Sequence, residues 1–545
     1  MSIYLICTPV DPNVSNAWIT IETAYFAPEQ GLESEPEWVQ FRIGTTQEPY
    51  WERSVCIPFQ ALSVASLLKE CPFLRIHKRK EIDQKLLETL RLGLGNGHIA
   101  RGYFLSEPGV IHFSDGTIGF LRGQELIGVP KPIPYFLSPQ IRDLHLAGSG
   151  TVHPRDLAAQ LLMAPPQVLL VLAYVILSSV RSLVIGYGMD YQAVLYIVGG
   201  QGLGKTTLAA RVAGIYQRAS DGKPAGFVQA GSSKAGTEML LSSHRDQPVI
   251  IDDLCLSAGK ETARKRLELG AALIRQGAGE IPIVRKKGSI AEAHKCVAGV
   301  ILTAEFSLEN MSDLTRCLIV PVDEPLRLSD GINPELVGDV IRGISKEFST
   351  NSRYHLRRLA KALEGPRYPG MEARVRTNYL CLRWAFHALL HFWYGRGVYK
   401  DTLDALSARM EEGLELALIA HEKHRKELLS RVPAGNLAWV ILEGLRKGGF
   451  DLTKKIEKLP KRGGILWKDD LCLRPEELVR FVRLQPGYQE WTRNRITRTL
   501  KDWGALVIQE EVTDTVWLRK CEKGSGFPRV YRIRLKVLED QEERY

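Results

Sequence analysis

The sequence predicts an α/β fold built on a parallel sheet, with a mixed α/β domain before it, a helical region after it and a small basic module at the end. Three observations carry that prediction. Short apolar runs alternate with helical stretches from about residue 190 to 325, the pattern of strands joined by crossover helices. A glycine-rich loop, Gly199-Gly200-Gln201-Gly202-Leu203-Gly204, separates one such run (Ala193 to Val198) from an Ala/Leu/Arg-rich helical pattern. A second apolar run ends abruptly in two acids, Pro248-Val-Ile-Ile-Asp252-Asp253.

Size and composition set the frame. A chain of 545 residues is expected to hold roughly three or four domains. Its 45% apolar and 25% charged residues are ordinary for a globular protein. Nine cysteines are scattered from Cys7 to Cys521 with no C-x-x-C pair, which argues against a zinc site and a disulfide framework and fits a reducing, cytoplasmic location. Met1-Ser-Ile-Tyr-Leu-Ile lacks a basic segment ahead of an apolar one, so no signal peptide is expected. Val168 to Val180 is apolar but short and runs straight into Arg181, so a buried helix is predicted and no membrane partner. A net charge of +10 is compatible with a polyanionic partner.

Each region then follows from its pattern. Residues 1–145 read as mixed α/β: strands at Trp18-Ile-Thr-Ile and Trp38-Val-Gln-Phe-Arg-Ile, helices over Phe59–Leu68 and Lys80–Leu92, and short strands turning at Glu107-Pro-Gly and Ser114-Asp-Gly. Ala147-Gly-Ser-Gly-Thr reads as a linker. Residues 154–330 form the α/β core, entered through the buried helix Gln167–Val180. Residues 331–432 are helical by pattern, and 433–545 are small, basic and mixed. His421-Glu-Lys-His424 lacks the i, i+4 histidine spacing of a zinc-protease helix and reads as a solvated face.

The glycine loop has a specific chemistry. A strand, then Gly199-x-x-x-x-Gly204-Lys205-Thr206, then a helix is the order a nucleoside triphosphate requires. The glycines let backbone N–H groups turn toward phosphates, Lys205 sets a compact cation against the β- and γ-oxygens, and the Thr206 hydroxyl can hold Mg²⁺. The stretch Gly199 to Thr207 is therefore the predicted ATP-binding loop. Asp252, at a strand end some 45 residues on, is assigned to the Mg²⁺ shell, and Asp253 to the attacking water. Asp is one methylene shorter than the Glu common at that second position.

Two further positions have competing readings. Thr303, at the end of Val297-Ala-Gly-Val-Ile-Leu-Thr303, is either a γ-phosphate sensor or a plain strand-terminal threonine. Arg316 is either a surface arginine at a strand start or a finger that stabilises phosphoryl-transfer charge in a neighbouring subunit. Between the acids and Thr303, Arg285-Lys286-Lys287-Gly-Ser suggests a hairpin tip, which in a ring-shaped translocase grips phosphates in the channel and elsewhere is a solvated loop.

In this order the motifs resemble a family. Gly199…Lys205-Thr206, Asp252-Asp253, Arg285-Lys-Lys-Gly, Leu302-Thr-Ala-Glu and Ser312-x-x-x-Arg316 resemble the helicase-like AAA+ ATPases of phages, plasmids and chromosomal mobile elements. That group is of the domain of unknown function 927 type and stands near the superfamily 3 helicases. Its members commonly end the sensor strand in Thr-Gly-Glu, and Ala304 replaces that glycine here. The resemblance spans roughly residues 85 to 325, through Gly102-Tyr-Phe and Phe113-Ser-Asp-Gly upstream. It implies a P-loop AAA+ core and a homo-oligomeric ring, a hexamer in expectation, that hydrolyses ATP between neighbours and moves on DNA.

The terminal module fits that reading. Residues 451–545 hold 21 Lys+Arg against 16 Asp+Glu, a net of +5. Helices at Leu437–Leu445, Pro475–Leu484 and Thr492–Trp503, followed by strands at Val516-Trp-Leu-Arg-Lys and Arg529-Val-Tyr-Arg-Ile-Arg-Leu flanking Gly524-Ser-Gly526, resemble a winged helix. In the third helix Ile496, Leu500 and Trp503 share one face, while Arg493, Arg495, Arg498 and Lys501 take the others. Such a helix suits duplex DNA, although winged helices also dock proteins. The expected function is an ATP-dependent DNA helicase or translocase, the replicative helicase of a mobile element, with single-stranded DNA in its channel. The alternatives are an ATP-switched initiator that does not unwind and an ATPase subunit of a multiprotein machine. Residues 1–145 carry no Asp-x-Asp pair for two-metal priming, so a primase would be a separate protein.

Overall fold

The structure, a computed structural model of the chain, describes residues 4–5, 17–45, 51–71, 79–130, 133–150, 153–189, 191, 193–230, 232, 234–254, 260–279, 283–287, 290–294, 296–306, 308, 310–328, 332–365, 367–368, 371–431, 437–453, 463–467, 469–485, 488, 491–507, 516–517 and 529–542. At its centre lie five strands: β1 (Val194–Gly199), β2 (Phe227–Gln229), β3 (Pro248–Leu254), β4 (Gly299–Ala304) and β5 (Cys317–Val322). They pair in parallel in the order β2-β3-β4-β1-β5, so the predicted α/β class is found and β1 sits between β4 and β5. A parallel sheet is covered on both faces, which is why its strands read as unbroken apolar runs. Along β1 the alternation divides the side chains: Leu195 and Ile197 enter one core, Val194, Tyr196 and Val198 the other.

The first of those cores is organised by α1 (Pro166–Ser179), in which every residue from Val168 to Ser179 is buried. A helix apolar all round belongs inside a protein, and each fully buried Leu or Val contributes about 1.5–3 kcal/mol. Among the described residues no helix is long and apolar enough to cross a membrane. The polar groups of α1 stitch it to the sheet. Tyr174 donates to the carbonyls of Ala193 and Val300 at 3.1 and 2.9 Å. Gly299 makes room for Ser178, because a Cβ there would lie 1.8 Å from the hydroxyl. Arg181, just past the helix, donates to the Gly277 carbonyl at 2.7 Å and to that of Ala298.

Upstream, Ala17–Phe26, Trp38–Thr45 and Glu52–Pro58 pair antiparallel, and Ala100–Leu105 joins them in parallel. The predicted helices appear as Val64–Glu70 and Arg79–Gly95. Of the stretch read as a linker, Ala147 is buried and Gly148 closely packed, Ser149 and Gly150 are exposed, and Thr151 lies outside the described residues. Leu144–Leu146 pairs with Tyr216–Arg218, and Gly148, at φ +86°, leaves only 2.3 Å between a would-be Cβ and the Glu335 carbonyl. Arg122, fully buried, donates to Ser345 Oγ at 3.0 Å, to the Asp246 carbonyl at 2.9 Å and to that of Ser179, tying this upstream segment to the core and to the helices beyond it.

Helix α2 (Lys205–Ala213) follows β1 across the glycine loop. Past β5 come three long helices, α3 (Pro334–Glu364), α4 (Ala373–Tyr394) and α5 (Lys400–Arg431). The Asn333 side chain accepts from the Leu336 amide at 3.0 Å, and Pro334 needs no N–H partner, so α3 starts there. Glu372 caps α4 by accepting from Arg374 and Val375. Helices α4 and α5 pack on α1. The expectation of a solvated face at His421 and His424 is corrected: both are buried, with the His421 ring edge-on to Tyr379 at 6.1 Å. The alternation that decides this comes from α5 lying against the bundle, not from the local four residues.

The final module contains the three predicted helices, α6 (Leu437–Arg446), α7 (Pro475–Arg483) and α8 (Arg493–Asp502), and the antiparallel pair Val516–Trp517 and Arg529–Arg534. Leu518 to Lys520 and the Gly524-Ser-Gly526 turn lie outside the described residues. Three unpredicted strands, Asp451–Thr453, Gly463–Trp467 and Asp470–Leu473, lie between α6 and α7; the last pairs antiparallel with both Gly463–Trp467 and Arg529–Arg534, and a further helix follows at Leu535–Glu542.

Candidate nucleotide-binding site

Ligands of open parallel sheets bind beyond the carboxyl ends of the strands, and the predicted groups converge there. Gly199 closes β1 against its neighbour so tightly that a Cβ would meet the Val322 carbonyl oxygen at 2.0 Å. Gly202 and Gly204 take φ of +76° and +92°, conformations that favour glycine. Gly204 is the N-cap of α2 and brings no side-chain cap, which leaves the first-turn N–H groups for an external anion. Leu326 braces the loop from outside by donating to the Leu203 carbonyl at 3.1 Å. Lys205, largely buried, folds back and donates to the Gly200 carbonyl at 2.6 Å, while Gln201, Thr206 and Thr207 are exposed.

Three strands meet at Asp252. Thr206 and Thr303 both donate to its Oδ1, at 2.8 and 2.5 Å, and Gln229, at the end of β2, approaches Oδ2 at 3.4 Å. Thr303 in turn accepts the Asp253 amide at 3.0 Å. This arrangement depends on a bulge. Ile251 pairs with Leu302 and Leu254 with Ala304, so β3 carries one more residue than β4 across the acids. Bulges re-aim side chains beside active sites. Here Asp252 turns inward, 5% exposed, and Asp253 outward, at φ +67°. Holding an L-residue in that left-handed region costs roughly 1–2 kcal/mol, which the Thr303 contact to the Asp253 amide helps to offset.

Arg316 is not part of this cluster. It precedes β5 at the amino end of the sheet, six residues of strand or about 20 Å from the start of the glycine loop on the adjacent β1. Arg316 is 8% exposed, and its guanidinium donates to the carbonyl and, at 2.6 Å, the hydroxyl of Ser312. Arg285, Lys286 and Lys287 lie in a hairpin, Ile283–Lys287 paired with Ile290–His294, whose Gly288-Ser289 turn falls outside the described residues. On α8, Arg493, Arg495, Arg498 and Lys501 are exposed and Ile496 and Leu500 buried, with the start capped by Thr492. Arg493 donates to the Tyr531 hydroxyl at 3.1 Å, and Arg495 stacks 4.3 Å from the Trp491 ring centroid.

Sequence reading missed Gln229 and the bulge. A polar residue closing the short apolar run Phe227-Val-Gln229 is the same signal that singled out Thr303, so the first was findable. The bulge was not, because register exists only between strands.

No family profile and no curated protein matches the chain. Among solved structures, the SCCmec type IV Cch protein, described as an active helicase, superimposes with a TM-score of 0.50 over 96% of this chain and 94% of that one, at 14% identity. The fold is helicase-like. The helicase of JCV aligns over 49% of this chain and 69% of its own, at 12% identity and a TM-score of 0.19, too little to bear on the fold.

Proposed function

We propose that this chain is an ATP-hydrolysing DNA helicase or translocase that works as a ring of identical subunits, and that it serves as the replicative helicase of a mobile genetic element. One observation carries the reading above the others: Asp252 accepts both the Thr206 hydroxyl of the phosphate loop and the Thr303 hydroxyl of the neighbouring strand, on one carboxylate oxygen. A serine or threonine and an acid joined in this way form the oxygen-only donor set that suits Mg²⁺ with a triphosphate. Thr206 and Asp252 would hold the ion, whose contribution is to neutralise charge on the phosphate oxygens.

The remaining residues have defined tasks. Lys205 exchanges the Gly200 carbonyl for the β- and γ-phosphate oxygens when nucleotide enters, and the Gly199–Thr207 loop orients them. Asp253 faces outward, where a carboxylate can orient a water, and Thr303 links it to Asp252 so that the two acids keep a fixed relation. Arg316 acts on a neighbouring subunit's nucleotide, since its own loop lies at the opposite end of the sheet. The hairpin cations Arg285, Lys286 and Lys287 grip single-stranded DNA in the channel. The last module acts as a winged helix on duplex DNA: two consecutive helices, α7 and α8, followed by two antiparallel strands, with Arg498 and Lys501 exposed on α8, support this.

The test is ATPase rate and strand displacement on forked DNA, with and without single-stranded DNA, alongside mass measurement with a non-hydrolysable ATP analogue. Expected are DNA-stimulated turnover, unwinding and a nucleotide-dependent oligomer, all lost in Lys205→Ala. Arg316→Ala should retain nucleotide binding and lose turnover. Turnover and assembly without unwinding would favour an initiator; turnover indifferent to DNA at low salt would favour a multiprotein machine.

A further inference from the structure

Among the described residues, one group of three His, Cys, Asp or Glu side chains brings its ligand atoms within 4.8 Å of one another: Glu347, His355 and His391. It lies in the helical bundle and shares no residue with the nucleotide site. We propose that these three side chains form a zinc site that clamps the two halves of α3 to α4.

The argument starts from the backbone. Residues eight apart on a straight helix are about 12 Å apart along its axis, too far for two side chains to meet without strain. In α3 the helix is broken between them: Asn351 has φ −117° and ψ 19°, outside helical values. Across that kink His355 Nε2 lies 3.0 Å from Glu347 Oε1. The Asn351 side chain donates to the same oxygen at 2.9 Å, so the residue that breaks the helix also holds the carboxylate. His391 arrives from α4, its ring 5.5 Å from that of His355 and nearly perpendicular to it.

The surroundings have the features of a ligand set. Two imidazoles and one carboxylate leave one tetrahedral position open, the composition of three-ligand zinc sites. Outer partners fix the ligands, as metal sites require: Asn351 for Glu347, and the Tyr354 hydroxyl, 3.3 Å from Nε2 of His391. The buried His355 ring is held flat against Phe348 at 4.7 Å and 25°. His391 is exposed, which provides an entry path from solvent. Cysteine spacing in the sequence argued against zinc; these ligands are contributed instead by positions 347, 355 and 391, which only the kink and the helix pairing unite.

The test uses the full chain, stripped with chelator and titrated with Zn²⁺ against a chromophoric competitor, with thermal melting in parallel. The first variant is His391→Ala, chosen because the side chain is exposed; the second is Glu347→Gln. Asp252→Asn separates any zinc bound at the nucleotide site. Expected are one Zn²⁺ per chain bound by wild type and by Asp252→Asn, affinity at least about tenfold weaker in both ligand variants, and a zinc-induced rise in Tm that the ligand variants lack. Binding by His391→Ala and Glu347→Gln equal to wild type, or loss of the site in Asp252→Asn alone, overturns the proposal.

Discussion

Replacing Thr303 by Val tests the link between the two acids directly. Valine has nearly the same shape, and the site is 1% exposed, so packing is conserved while the hydroxyl disappears. Two hydrogen bonds go with it: donation to Asp252 Oδ1 at 2.5 Å and acceptance of the Asp253 amide at 3.0 Å. A hydrogen bond to a charged group contributes about 1.5–3 kcal/mol. The Asp253 amide belongs to an exposed residue and can recruit water, so it adds little more. If about 2–3 kcal/mol of positioning is withdrawn from the transition state, kcat falls about 30- to 150-fold. Nucleotide affinity should shift less than about threefold, because Lys205 and the loop are untouched. Thr303→Ser restores the hydroxyl and should recover turnover to within a few-fold. The assay is steady-state ATP hydrolysis with a fluorescent-nucleotide titration on the same samples. A Thr303→Val protein that hydrolyses ATP at half the wild-type rate or more would refute the reasoning.

Other perturbations probe other parts of the molecule. Gly199→Ala places a Cβ 2.0 Å from the Val322 carbonyl oxygen, so β1 and β5 must move apart; a loss of about 1–3 kcal/mol is expected, seen as a lowered Tm, and an unchanged Tm counts against this register. Burial pushes both His244 and His421 down from 6.5 to about 4. A folded-state value below the unfolded one means that the unfolded chain binds more protons in acid, so stability is intact above pH 6.5 and falls from there toward pH 4, by on the order of 3 kcal/mol per histidine. Denaturant midpoints across that range measure it, and His244→Gln should flatten the slope. Arg498→Ala with Lys501→Ala should weaken duplex DNA binding and lower the salt slope by about one for each phosphate that is no longer neutralised; an unchanged slope in fluorescence anisotropy would place DNA elsewhere.

Much of this protein is decided locally and is therefore legible in order along the chain. The glycine loop is a run of consecutive residues whose backbone freedom is written in its glycines, and Asp252 and Thr303 each close an apolar strand. Helix α1 announces itself by being apolar all round, and α8 by its split between Ile496 and Leu500 on one side and arginines on the others. Tertiary structure decided what depends on two segments meeting. The bulge that turns Asp252 in and Asp253 out is a mismatch of count between β3 and β4, so neither strand contains it alone. The strand Asp470–Leu473 pairs on one edge with its near neighbour Gly463–Trp467 and on the other with Arg529–Arg534, some sixty residues later, a placement that only the folded sheet decides. His421 and His424 are buried by what packs against α5, and Glu347, His355 and His391 are gathered by a kink and a second helix. Backbone conformation and side-chain chemistry are properties of single residues and travel with the sequence, whereas register, burial and convergence are properties of pairs and appear only once the chain has folded.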